Sequence, residues 1–192
     1  MKNQFLKQIV NSIAILIVLT VILGIIYPFI VMGLGQLFFS HQANGSLITQ
    51  DGKIIGSSLV QQKFTSEKYF HGRPAIVDYT DTPTSKVLLQ RIKNRIKTDQ
   101  KQDMHRGEYV PIDLITDSGS GVDPDITPAA AFFQAKRIAS ENNIPVNNIN
   151  ILINGNIKGR VWGIFGQKTV NVLKLNLALN SYIKTHKSNS SW

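Results

Sequence analysis

The chain has no cysteine among its 192 residues, which excludes a disulfide framework and a thiolate zinc site and fits either redox compartment. Acidic residues are scarce, 12 against 21 Lys and Arg, for a net charge of +9. Between Lys7 and Asp51 lie 43 consecutive residues with no charge at all. Within that gap, Ile13 to Leu34 is a run of 22 residues whose only strongly polar side chain is Thr20. These absences exclude a wholly soluble chain and a large multidomain enzyme. At ~1.5 Å rise per residue, 22 helical residues reach about 33 Å, enough to cross a hydrocarbon core of ~30 Å. A helix buried in a soluble core would keep a polar face, and this run has none.

The run is also too long for a cleaved signal peptide. It leaves through Leu37, Phe38, Phe39 and Ser40 with no small-residue cleavage pattern. An uncleaved membrane helix is expected, since lipid demands that backbone groups be satisfied internally. Pro28 within it predicts a local kink and a freed carbonyl, which suits a helix packed against protein. Gly24, Gly33 and Gly35 do not make a GxxxG spacing. Lys2 and Lys7 precede the span, and no Lys or Arg follows it until Lys53. The positive-inside rule then predicts a cytoplasmic segment over 1–10, a membrane helix over 11–36 and an extracytoplasmic domain over 37–185. A polar, frayed tail is expected over 186–192.

The motifs that carry nucleotide or hydrolytic chemistry are missing as well. There is no G-x-x-x-x-G-K-[ST] loop and no Asp-Lys-Thr-Gly phosphorylation sequence. His41, His71, His105 and His186 are scattered, with no H-E-x-x-H or i, i+4 pair. Ser118 and Ser120 stand in S-G-S-G, which is not the G-x-S-x-G elbow. Asp123 and Asp125 hint at calcium, but the loop with its terminal Glu is absent, and both are read as capping the helix that follows. Beyond residue 40 the chain carries 19 basic and 12 acidic residues, a net +7. Topology puts that charge on the wrong side of the membrane for nucleic acid, and points to anionic lipid headgroups or an acidic partner.

What remains reads as α+β: one N-terminal transmembrane helix and one small α/β domain. Leu47–Gln50 and Lys53–Ser57 flank Asp51-Gly52 as a hairpin. Residues 61–84 are irregular, with Phe64, Tyr69, Phe70 and Tyr79 among Gly, Pro and Asp, a loop able to carry contacts. A helix is predicted from Ser85 to about Lys101, with Thr84 as N-cap and Leu88, Leu89, Ile92 and Ile96 turned inward. Its other face bears Lys86, Arg91, Lys93, Arg95, Lys97 and Lys101, a solvated or docking surface. Ser118–Gly121 is a flexible turn, and Thr127-Pro128 places an N-cap and N1 at the head of a second helix that Asn142-Asn143 ends. Pro145 opens a shorter helix along Val146, Ile149, Leu152 and Ile153. Thr169–Lys184 fits either helix or strand periodicity, and its length favours helix.

Several of these segments, taken in order, resemble one family. They are Gln42-Ala43-Asn44-Gly45-Ser46-Leu47, Gly56-Ser57 with Phe64, Tyr69-Phe70-His71-Gly72-Arg73-Pro74, Ser118-Gly119-Ser120-Gly121-Val122-Asp123-Pro124, Thr127-Pro128-Ala129-Ala130-Ala131 with Gln134, and Val170-Asn171-Val172-Leu173 with Leu175-Asn176-Leu177-Ala178-Leu179. Their order and spacing behind a single span are similar to KdpC, the C subunit of the Kdp-type potassium-transporting P-type ATPases, from the anchor to about residue 180. The chain departs from that pattern in a shorter 75–84 loop bearing Asp78 and Asp81, in Gly166-Gln167-Lys168-Thr169 before the last helix, and in Asp125 where the family often has His.

The resemblance implies a non-catalytic subunit that stabilises an ATP-driven, high-affinity potassium uptake complex. Its implied partners are a potassium-binding channel-like subunit, a P-type catalytic subunit and a small accessory peptide, with membrane lipid around the helix. ATP and Mg belong to the catalytic partner, K+ is the transported ion, and this chain is expected to hold no cofactor, metal or catalytic residue. A catalytic-chaperone role that raises ATP affinity has been proposed for such subunits, and Gln134 is the position matching the glutamine invoked there. The candidate partner contacts are Tyr69, Phe70, Gly72, Arg73, Pro74, Ser118, Gly119, Ser120, Gly121, Asp123, Asn171 and Asn176. A membrane-anchored ligand-binding module or enzyme, with His71, Asp123 and Asp125 as its polar site, is the competing expectation.

Overall fold

The computed structural model describes residues 2–50, 52–74, 82, 84–103 and 109–189. The expectations for Asp78, Tyr79, Asp81 and His105 fall outside them. Contacts divide the chain into two compact units, residues 1–54 and 55–192.

The first unit is dominated by helix. α1 (Lys2–Val21) runs through a π-helical turn, Ile22–Ile26, into α2 (Tyr27–Phe38). The turn lies one residue ahead of Pro28 for a physical reason. Proline has no N–H and its ring presses on the carbonyl four residues back, so the helix widens there, and the Tyr27 N–H reaches Ile22 O. The predicted irregularity at Pro28 is thus a π-bulge. Thr20 donates its hydroxyl to Leu16 O at 2.8 Å, which satisfies the one hydroxyl-bearing aliphatic side chain of the run. The stretch Gln4–Phe38 is long and apolar enough to cross a membrane, and none of its best apolar window is buried within the protein. After α3 (Ser40–Ala43) the chain enters the hairpin β1 (Leu47–Gln50) and β2 (Lys53–Ser57), with Gly52 at φ +74°. The hairpin stands where Asp51-Gly52 predicts it.

In the second unit α4 is Lys86–Gln102. Its N-cap is Ser85 rather than Thr84: the Ser85 hydroxyl accepts from the amides of Val87 and Leu88, while Thr84 faces the Thr82 hydroxyl. Leu89, expected inside, is 50% exposed. Arg91 and Arg95, expected on the basic outer face, turn inward onto Asp117, with Arg95 at 2.8 Å. Lys86, Lys93, Lys97 and Lys101 remain exposed.

A short α5 (Ile112–Ile115) and β3 (Asp125–Ile126) precede the central helix α6 (Pro128–Asn142). Thr127 caps α6 through its hydroxyl to Ala130 N, Pro128 occupies the first turn, and Asn143 ends it in the left-handed region at φ 55°. Asp123 and Asp125, expected to cap this helix, do not, because Thr127 already fills that role. α7 (Val146–Gly155) starts after Pro145 as predicted. β4 (Ile157–Lys158) and β3 both pair antiparallel with β5 (Thr169–Asn171), which is central in the order β3-β5-β4. Chain 169–184 resolves into this short strand followed by α8 (Val172–Asn189). Val170 pairs with both Ile126 and Ile157, whereas Leu175, Leu177 and Leu179, whose alternation also fits a strand, lie in α8. Helix α8 takes in His186, whose ring stacks on Tyr182 at 3.9 Å, so the expected frayed tail is helical as far as Asn189.

The core gathers around α6. Ala130, Ala131, Phe133, Ile138, Ile149, Ile153, Val170, Leu175 and Leu179 form one buried cluster with Phe70. Fully burying each Leu, Ile or Phe contributes about 1.5–3 kcal/mol.

A buried polar hub that fixes the 67–74 segment

Phe70 and His71 lie in irregular chain, yet their backbone groups are paired as in a sheet. The Asn176 carboxamide accepts from Phe70 N at 2.8 Å and donates to Phe70 O at 3.0 Å. One residue on, Gln134 accepts from His71 N at 2.8 Å and donates to His71 O at 3.0 Å. Two side chains from α8 and α6 thus stand in for neighbouring strands, and satisfy four polar backbone groups that burial would otherwise leave costly. Gln134 is 1% exposed; its amide also donates to Ala130 O and its oxygen accepts from Arg137.

Arg137 is the centre of this hub. It is 2% exposed, and its Nε donates to Asp103 at 2.6 Å. Nη1 donates to the carbonyls of Glu67 and Tyr69, and Nη2 to Gln134. The guanidinium therefore ties α4, the 67–71 segment and α6 at one point. A buried charge of this kind costs several kcal/mol of desolvation, offset only when every donor is used.

The next residues are tied to the 116–123 loop. Arg73 donates to Thr116 and to Asp117 O, both at 3.3 Å, and lies 3.5 Å from Asp123. Gln61 donates to Arg73 O at 2.6 Å. A Cβ at Gly72 would stand 2.5 Å from the Gln61 amide nitrogen, so a side chain there would displace the carboxamide that donates to Arg73 O. Two clefts flank the segment: one of ≈ 180 Å³ beside His71, Asp99, Asp103 and Gln134, the other of ≈ 270 Å³ beside Phe64, Arg73, Pro74 and Gly121.

Two groups at the first cleft have displaced proton affinities. Burial, reinforced by the neighbouring Asp103 carboxylate and opposed by Arg95 and Arg137, raises Asp99 to about 6. Burial and then Arg137 lower His71, against the pull of Ser66 O, Asp103 and Glu67. The His71 ring sits 3.1 Å from Ser66 O.

Most of the candidate residues therefore converge. Tyr69, Phe70, Gly72, Arg73, Pro74, Gln134 and Asn176 belong to one assembly, and Asp123 joins it through Arg73. Tyr69 also reaches Asn180 at 3.1 Å through its hydroxyl. Ser118 is buried at 2%, whereas Gly119 and Ser120 are exposed and Gly121 borders the second cleft. Asn171 stands apart, holding Asp125 and Ser58 O at 2.9 Å each and accepting from Lys174 N at the head of α8. His71, Asp123 and Asp125 do not come together: Asp123 faces Arg73 and accepts from Asp125 N, and Asp125 is bonded to Thr169 and Asn171. Among the described residues no group of three His, Asp or Glu side chains is placed to hold a metal ion.

Sequence reading missed Arg137, Asp103 and Asp113, the last of which accepts from Thr127 N at 2.7 Å. One signal was available: Ala130, Phe133, Gln134, Arg137 and Ile138 recur at helical spacing on the buried face.

Residues 9–181 match the family model described as KdpC: K+-transporting ATPase, c chain. A protein named potassium-transporting ATPase KdpC subunit, from Caldanaerobacter subterraneus subsp. tengcongensis, is 42% identical over 190 residues, covering 94% of this chain and 98% of its own. Proteins of the same name from Bradyrhizobium diazoefficiens and Mycobacterium bovis are 42% and 41% identical, each over 91% of this chain and at least 97% of their own. With its apolar N-terminal helix, its α+β domain and this match along nearly its whole length, the chain belongs to the KdpC family of potassium-transporting ATPase subunits.

Proposed function

We propose that this chain is the non-catalytic, assembly-stabilising subunit of an ATP-driven potassium uptake complex, anchored by one membrane helix with its domain outside the cytoplasm. The division is 1–10 inside, 11–36 across the bilayer and the remainder outside. Its partners are the potassium-binding channel-like subunit, the P-type catalytic subunit, which holds ATP and Mg, and a small accessory peptide. The observation that carries the reading is the use to which the family's polar residues are put. Gln134, Asn176 and Arg137 are spent inside the chain on the backbone of 67–71, which makes a rigid platform.

The same observation bears on the ATP-related role. Gln134, 1% exposed and bonded on both ends of its carboxamide, supports an indirect effect. A domain outside the membrane raises nucleotide affinity only by binding two conformations of the catalytic partner unequally. The Lys2 and Lys7 side of the span supports the orientation. The exposed Gly119-Ser120 turn, the second cleft and Arg73-Pro74 are the surface offered to partners.

Co-purification tests the reading. The full chain should recover the potassium-transporting complex, and a chain lacking residues 1–36 should not. Recovery of an intact, potassium-dependent ATPase without that helix contradicts it.

A further inference from the structure

Residues 160–166 form a tight turn with no role in the platform described above. Val161 and Phe165 pair as an isolated bridge, and the amides of Val161, Gly163, Ile164 and Phe165 all donate within the turn. Every large side chain on it faces outward: Val161 is 55% exposed, Trp162 86%, Ile164 73% and Phe165 60%. Trp162 adopts φ 52°, a conformation rare for an aromatic residue, and contributes nothing to the core in return. Its ring meets that of Phe165 edge to face at 6.2 Å. An apolar tip of this kind in water marks a contact with something outside the chain.

The charge around it says what that is. Lys158, Arg160 and Lys168 rim the turn, all exposed, and no Asp or Glu occurs anywhere after Glu141. Residues 39–54 join the apolar helix to the second unit, and 16 residues span at most about 55 Å even when fully extended. The tether keeps the second unit within reach of a bilayer in which the helix is held. We propose that the 160–166 turn docks on an anionic lipid surface, with Trp162, Ile164 and Phe165 entering the headgroup–acyl boundary and Lys158, Arg160 and Lys168 meeting lipid phosphates. Aromatic and aliphatic side chains above a cationic rim are the composition that interfacial binding requires. Four amides of the turn are bonded internally, which lowers the cost of holding its backbone at the headgroup boundary. This rests on the membrane-anchor reading of 11–36, and the test separates the two.

The chain contains two tryptophans, so Trp192→Phe leaves Trp162 as the sole tryptophan, excited selectively at the red edge of its absorption. The full-length variant is reconstituted into vesicles of phosphatidylcholine alone, or with roughly a third phosphatidylglycerol, carrying acyl-chain-brominated lipid. Flotation with the vesicles reports the anchor independently. The proposal expects Trp162 to be quenched by brominated lipid and shielded from aqueous acrylamide in the anionic vesicles. Neutralising Lys158, Arg160 and Lys168 to Gln should lower the embedded-to-aqueous ratio about fivefold per cation. Protein that floats while Trp162 stays open to acrylamide and untouched by brominated lipid overturns the docking but not the anchor. So does shielding that arises only when the partner subunits are added, which assigns the tip to a protein interface.

Discussion

Gln134 holds His71 by both ends of its peptide unit, accepting from the amide at 2.8 Å and donating to the carbonyl at 3.0 Å. That pairing makes this glutamine a positioning residue for the 67–74 segment. Gln134→Leu keeps the volume and strands the His71 groups and one Arg137 donor. It should cost about 1–3 kcal/mol of unfolding free energy, the penalty of buried unsatisfied groups. Urea unfolding of the full chain in detergent measures the cost. In the assembled complex the same change should lower subunit recovery and leave the ATP dependence of each recovered complex unaltered. Normal recovery with a weakened ATP dependence would favour direct nucleotide contact.

The Arg137–Asp103 pair gives a larger effect. Arg137→Met leaves a carboxylate buried at 4% exposure with its cation gone and uncouples α4 from α6. A loss of about 3–5 kcal/mol is expected, read from the same unfolding transition. The double change with Asp103→Leu should recover part of that loss, because the buried carboxylate is removed together with the cation 2.6 Å from it. A double variant no more stable than Arg137→Met would contradict this.

Stability around the first cleft should respond to pH in two opposing ways. Asp99 is raised to about 6, so its proton is held more tightly in the folded state, and the folded state loses stability as pH rises from about 4 through 6. Asp99→Asn should stabilise the protein above pH 6 and lose that advantage near pH 4. His71 is lowered, so the folded state loses stability as pH falls below 6.5. His71→Gln should flatten that acidic decline. Melting temperatures of the two variants across this range decide both signs.

Ser118 Oγ is buried without a hydrogen-bond partner among the described residues. Ser118→Ala should therefore be neutral or stabilising by up to about 1 kcal/mol, although the residue lies within a family-like motif. A loss above about 2 kcal/mol would show that the hydroxyl is engaged.

Legibility from sequence followed the range of the interactions. The hairpin at Asp51-Gly52, the Thr127-Pro128 helix start, the stop at Asn143 and the apolar span rest on neighbours a few residues apart, and each stands where pattern places it. The cap at Ser85 rather than Thr84 is an error of one position between two hydroxyls that pattern does not distinguish. Arg91, Arg95 and Asp123 were misplaced for a different reason: their partners Asp117 and Arg73 are distant in sequence, and a charge on a helix face reads as solvated unless its partner is known. The hub depends wholly on such distant pairs. Phe70 meets Asn176 across 106 residues, and Arg137 meets Asp103 across 34. Helical spacing could place Gln134 and Arg137 on the inner face, but not name the backbone they would hold.

The central claim, a domain outside the cytoplasm that serves as a partner-docking platform, is tested most directly at Ser120, which is exposed on the 118–121 turn. The chain has no native cysteine, so Ser120→Cys provides a single reactive thiol. In intact cells a membrane-impermeant maleimide should label it when the chain is expressed alone, and label it several-fold less when the partner subunits are present. Labelling only after the cells are opened would contradict the orientation. Equal labelling with and without partners would contradict the docking role of this turn.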